Sequence, residues 1–183
     1  MSTTLIVILI VVLLVLWVIS VQRKFVKLEE NTKNAMSQIG VQQASRWDAL
    51  SALVDLTKSY NEHEYNTLKE IVAQRAKIGS NSSAKQADAQ EGILTDALSR
   101  IIAVAERYPE LKANEMYIKT MDSVNTYENQ VRMSRMVYND TVTAYNRCVR
   151  QIPDSIVAGL LRFTEKEYLE EDKKKSEMPS MKI

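Results

Sequence analysis

Four glycines and three prolines are all this 183-residue chain contains, and that scarcity excludes more than it first suggests. Turn-rich β architectures need those residues at their connections, and a phosphate-cradling loop needs several glycines together. One cysteine, Cys148, rules out an intrachain disulfide and suits a reducing compartment. One histidine, His63, leaves out the paired histidines of zinc hydrolases: Thr67 stands where a second would be needed. Tyr60 stands where a Glu-x-x-His di-iron motif would need its glutamate. His63 therefore reads as an exposed or capping side chain at a helix start. No serine sits in a nucleophile-like elbow. An excess of one charge is missing too: 24 basic against 23 acidic residues give a formal net charge of +1. That balance argues against nucleic acid as a partner. The reading that follows is no enzyme, no cofactor, no metal and no small-molecule substrate.

What the chain does have is an unbroken apolar run: Leu5, Ile6, Val7, Ile8, Leu9, Ile10, Val11, Val12, Leu13, Leu14, Val15, Leu16, Trp17, Val18 and Ile19. With its uncharged flanks it makes about 19 residues, or roughly 28 Å of helix, against a hydrocarbon core of about 30 Å. A cleaved signal would place basic residues before the run. Here Met1-Ser2-Thr3-Thr4 carries none, while Arg23, Lys24 and Lys27 follow it. The segment reads as a permanent single-pass anchor in a plasma membrane. The positive-inside rule puts its N-terminus outside and the bulk of the chain in the cytoplasm.

Beyond the anchor, Ala, Glu, Lys, Leu, Arg and Gln dominate, a composition of long helices. Apolar positions recur every three or four residues from Phe25 to Tyr60 and again from Met121 to Val149, as in a coiled-coil-like seam. Two shorter patterns lie between them, one from Asn61 through Leu68 to Ile78 and one from Ile93 to Ala105. Breaks fall at Gly79 to Ser83, at Tyr108-Pro109-Glu110 and at Gln151-Ile152-Pro153-Asp154, and Asn114 reads as an N-cap. The fold expected is all-α: an N-terminal transmembrane helix continuing into an up-down-up-down antiparallel four-helix bundle with long first and last helices. The divisions are 1–22 for the anchor, 23–163 for the bundle with a membrane-proximal segment at 152–163, and 164–183 for a charged, disordered tail. A docking motif around Met178-Pro179-Ser180-Met181-Lys182-Ile183 is a further reading of that tail.

Polar residues interrupt the seams at Gln42, Arg46, Glu128 and Arg135. Antiparallel register places Arg46 opposite Glu128. The plain reading is a satisfied polar layer that fixes register; the sharper one is a charged switch. In the segment after Pro153, Ile156, Leu160 and Phe163 either cap the foot of the helix pair or lie in the lipid interface.

The motifs Lys33-Asn34-Ala35-Met36-Ser37-Gln38-Ile39-Gly40-Val41-Gln42 and Arg46-Trp47-Asp48-Ala49-Leu50 resemble the LemA family of bacterial membrane-anchored proteins. So do Tyr108-Pro109-Glu110-Leu111-Lys112, Tyr138-Asn139-Asp140 and Ile156-Val157-Ala158-Gly159-Leu160-Leu161. The resemblance covers nearly everything after the anchor. Met36 stands where the family usually has tryptophan, and Leu50-Ser51-Ala52 where it has Ile-Pro-Asn. Without that proline, helix one is free to run straight. The resemblance implies a single-pass membrane protein with a helical bundle and no established chemistry. The function expected is a non-catalytic scaffold or adaptor that meets membrane lipid, self-assembles as a homo-oligomer or recruits a protein partner. A membrane-tethered signalling or envelope-stress component, passing a change through the bundle, is the alternative.

Overall fold

The computed structural model describes residues 3–170, and every regular element among them is helical. Six helices follow in order: α1 (Thr3–Thr57), α2 (Glu62–Val72), α3 (Ala84–Arg107), α4 (Pro109–Lys112), α5 (Glu115–Arg150) and α6 (Asp154–Leu161). Residues 171–183, with the docking motif read there, lie outside the described part.

α1 runs 55 residues without a break, through the apolar run and into the body of the protein. No proline interrupts it. It ends at Thr57, and Asn61 then caps α2 by accepting the backbone N–H groups of His63 and Glu64. Ser83 and Gln86 close a reciprocal capping box on α3. Pro109 opens α4, where its missing N–H costs nothing, and Asn114 caps α5 through Met116 and Tyr117.

α1 and α5 form a long antiparallel pair, and three tiers of buried side chains run along it. The distal tier joins Trp47, Leu50 and Leu53 of α1 to Leu68 of α2, Ile101 of α3 and Val124 of α5. The middle tier gathers Met36, Ile39, Tyr138 and Val142. The tier at the foot holds Val21, Phe25, Tyr145, Cys148, Val157 and Ala158, with Trp17 and Val18 against it. Full burial of one such aliphatic or aromatic side chain contributes about 1.5–3 kcal/mol.

The second helical pattern stops earlier than its apolar spacing implies. α2 ends at Val72, and residues 73–83 cross α1 as a loop that delivers Ile78 to the middle tier. Gln90 holds this loop, accepting from the N–H of Ala76 and donating to the carbonyl of Gln74. Gly40 makes the crossing possible: a Cβ there would lie 2.0 Å from the carbonyl oxygen of Ile78.

The chain after α6 differs most from expectation. Residues 163–170 lie extended along the α1/α5 pair, with Leu169 only 3% exposed in the middle tier. Glu165, Glu167 and Glu170 are exposed while Leu169 and the backbone turn in, which is why composition alone reads as a disordered tail.

Candidate functional site: an ionic node, a strap and an apolar foot

The node centres on Arg46, 1% exposed. Its Nη1 donates to Glu91 Oε1 at 2.6 Å and its Nη2 to Glu128 Oε2 at 3.3 Å. One buried cation thus joins α1, α3 and α5. Gln43, one turn away, donates through Nε2 to the Ala87 carbonyl and to Glu91 Oε2. Gln43 Oε1, Arg46 Nε and Trp47 Nε1 have no hydrogen-bond partner among the described residues. Glu91 escapes a reading based on the α1/α5 seam because it arrives from α3.

Two expected members of the polar layer sit elsewhere. Gln42 is half-buried on the opposite side of the pair, lining a groove with Thr126, Asn129, Gln130, Met133 and Ser134. A step of one residue turns a helix by about 100°, so Gln43 takes the inward place. Arg135 belongs to the strap: its Nη2 donates to Asp88 Oδ1 at 2.7 Å and to the Glu170 carbonyl at 2.6 Å.

The strap is held by two asparagines two helical turns apart. Asn146 accepts from the Lys166 N–H at 2.8 Å and donates to its carbonyl at 2.9 Å. Asn139 does the same to Leu169, at 2.9 and 3.2 Å. Seven helical residues rise about 10.5 Å, and three extended residues span about 10 Å, so the two repeats match. Asp88 accepts from the Glu170 N–H, and the Tyr138 hydroxyl donates to the Glu167 carbonyl. Burial raises the Tyr138 phenol above its ordinary pKa of 10.0, with smaller contributions from Glu167 and Asp88. Both asparagines flank the seam, and their spacing is the one sequence signal of the strap.

At the foot, Phe163 does not face outward with Ile156 and Leu160. It stacks on Phe25 at 4.6 Å with the rings 14° apart, and so packs into the core. Ile156 and Leu160 remain 63% and 73% exposed. Lys24 donates to Asp154 at 2.7 Å, and that bond is the main cause raising its pKa. His63 is exposed at the start of α2. Among the described residues, no three His, Cys, Asp or Glu side chains gather as metal ligands.

These features define an all-helical protein whose N-terminal helix is long and apolar enough to cross a membrane. The sequence profile of the LemA family matches residues 35–183, and the chain belongs to that family. It is similar to Protein LemA of Metamycoplasma hominis, 23% identical over 153 residues, which covers 79% of this chain and 70% of that protein. It is also similar to Magnetosome protein MamQ of Magnetospirillum gryphiswaldense, 26% identical over 94 residues, 51% of this chain and 35% of the relative. Magnetosome protein MamQ 1 of Paramagnetospirillum magneticum is 28% identical over 94 residues with the same coverage, so the chain spans about a third of the MamQ proteins' length. Family and N-terminal helix together indicate membrane association.

Proposed function

We propose that this chain is a non-catalytic, membrane-anchored helical scaffold on the cytoplasmic face of a bacterial plasma membrane, acting by self-assembly. The observation that supports this reading is one uncharged face. α3 and the strap cover one side of the α1/α5 pair, as the Arg46 and Arg135 contacts show. On the opposite side stand Gln38, Gln42, Ser45 and Ala49 of α1 and Tyr127, Gln130, Ser134, Val137 and Thr141 of α5, each set spaced as one helical face. None is charged, in a chain that is 26% charged. Val41 and Met133 are exposed beside them.

An uncharged face meets a copy of itself without repulsion. Two copies in one membrane share the direction of its normal, and a two-fold axis along that normal sets α1 of one against α5 of the other. The register that pairs Arg46 with Glu128 puts Val41 and Met133 at one level, so each would meet the other's counterpart. The test is the mass of the intact protein in nanodiscs or mild detergent. A discrete oligomer that Val41→Glu with Met133→Glu converts to monomer, at unchanged melting temperature, is expected. A monomer at every density refutes self-assembly, and a stoichiometric second protein turns the scaffold into an adaptor. The node favours the second reading, a signalling component: one cation shared by two carboxylates is an element with two possible pairings. That reading requires binding that changes with pH or membrane state.

A further inference from the structure

We propose that α6, with the preceding Ile152, is a second membrane-binding element: an interfacial foot seated in the leaflet from which α1 emerges. The proposal rests on the reading of α1 as an anchor, and it adds a surface and a partner, the headgroup–acyl boundary of the bilayer.

Three observations converge on it. The inner side of α6 is fixed to the long helices, because Val157 and Ala158 are buried with Val21, Phe25, Tyr145 and Cys148. The height of α6 above the anchor is therefore set by the fold. Trp17 and Val18, the end of the apolar run, pack against this same cluster. The apolar run with its uncharged flanks ends at Val21, which is buried against Val157 and Ala158, so a bilayer that covers the run has its interface at the level of α6.

The outer side of α6 is apolar. Ile156 and Leu160 are 63% and 73% exposed one turn apart on α6, and Ile152, 78% exposed, precedes the helix across Pro153. Single exposed aliphatic residues are ordinary on a protein surface, but a pair on one helical face with a third just before it, beside the end of the apolar run, is not scattered. An interfacial helix buries such a face about 5–10 Å into the headgroup–acyl boundary.

Charge is complementary as well. Arg23, Lys27, Arg147, Arg150 and Arg162 are exposed around the foot. Of the acids near this level, Asp154 is paired with Lys24, Glu165 lies 3.9 Å from Arg150, and Glu29 and Glu30 lie 3.6 and 3.4 Å from Lys33. The foot thus offers a basic rim around an apolar face to an anionic leaflet.

The test uses the full chain, reconstituted in vesicles of phosphatidylcholine and phosphatidylglycerol at a seven-to-three ratio. A nitroxide is placed by Ile156→Cys or Leu160→Cys in a Cys148→Ala background, with Leu9→Cys as the anchor reference and Thr95→Cys as the aqueous one. If Cys148→Ala does not melt cooperatively, the natural background serves, since its thiol is buried from the reagent. Collision with oxygen and with a water-soluble nickel chelate is read at each site. The expected result is nickel accessibility at 156 and 160 several-fold below that at 95, with oxygen accessibility retained. Aqueous values at 156 and 160 with a lipid-buried Leu9 label overturn the foot and leave the anchor standing. Aqueous values at all four sites overturn the anchor and the foot together. Labels at 156 and 160 shielded from both reagents mean that protein covers α6, which also overturns the proposal.

Discussion

Replacing Arg46 with methionine keeps most of the side-chain volume and removes the guanidinium that joins Glu91 to Glu128. Glu91 and Glu128 then face each other with no guanidinium between them. Breaking a buried ion pair by removing one partner costs about 3–5 kcal/mol. Both carboxylates keep 21% of their side-chain surface, so water reaches them and the lower end, about 3 kcal/mol, applies. At about 2–4 °C per kcal/mol for a domain of this size, melting should fall by about 6–12 °C. Adding Glu91→Gln and Glu128→Gln removes both carboxylate charges, and the triple variant should return to within about 1 kcal/mol of the natural protein. Circular dichroism melts in one detergent, with Trp47 fluorescence beside them, give both numbers. Unchanged melting of Arg46→Met refutes the buried node, and a triple variant weaker than the single one refutes the electrostatic account of its cost.

Three other outcomes are expected. Gly40→Ala should destabilise by about 1–3 kcal/mol, because its Cβ meets backbone that must shift; hydrogen exchange should localise the loss to residues 73–83. Asn139→Ala and Asn146→Ala should each cost about 1–3 kcal/mol and admit protease to residues 163–170, since each leaves an extended backbone amide unpaired. Tyr117, Tyr138 and Tyr145 have pKa values raised above 10.0 by burial, so the folded state holds these protons more tightly than the unfolded one. Their contribution is complete below pH 10.0 and lost as pH rises through it toward the folded values; Tyr138→Phe should flatten that alkaline decline in a pH series of urea melts.

Helix periodicity and punctuation were legible in the sequence wherever contacts are local or lie between α1 and α5. The helix start near Asn61, the cap at Asn114, the break at Pro153 and the Arg46–Glu128 pairing all depend on residues a few positions apart or on one antiparallel register. What could not be read arrives from a third direction. Glu91 reaches the node from α3, and Ile78 looks helical by spacing because its apolar contact is made by a loop. The strap has a charged, extended composition, and its order comes from asparagines on another helix. Phe163 was ambiguous for the same reason: an aromatic residue after a short amphipathic helix suits lipid or core, and only the position of Phe25 decides.

The continuity of α1 has a mechanical consequence. From Ser20 to its end at Thr57 the helix extends roughly 56 Å, so in the proposed anchored arrangement it is a lever with its fulcrum in the lipid. Tilting it by about 10° would sweep the distal end sideways by about 10 Å, and a change in bilayer thickness is one way to tilt a spanning helix. An object held at the far tip would register the thickness of the membrane beneath it as a displacement.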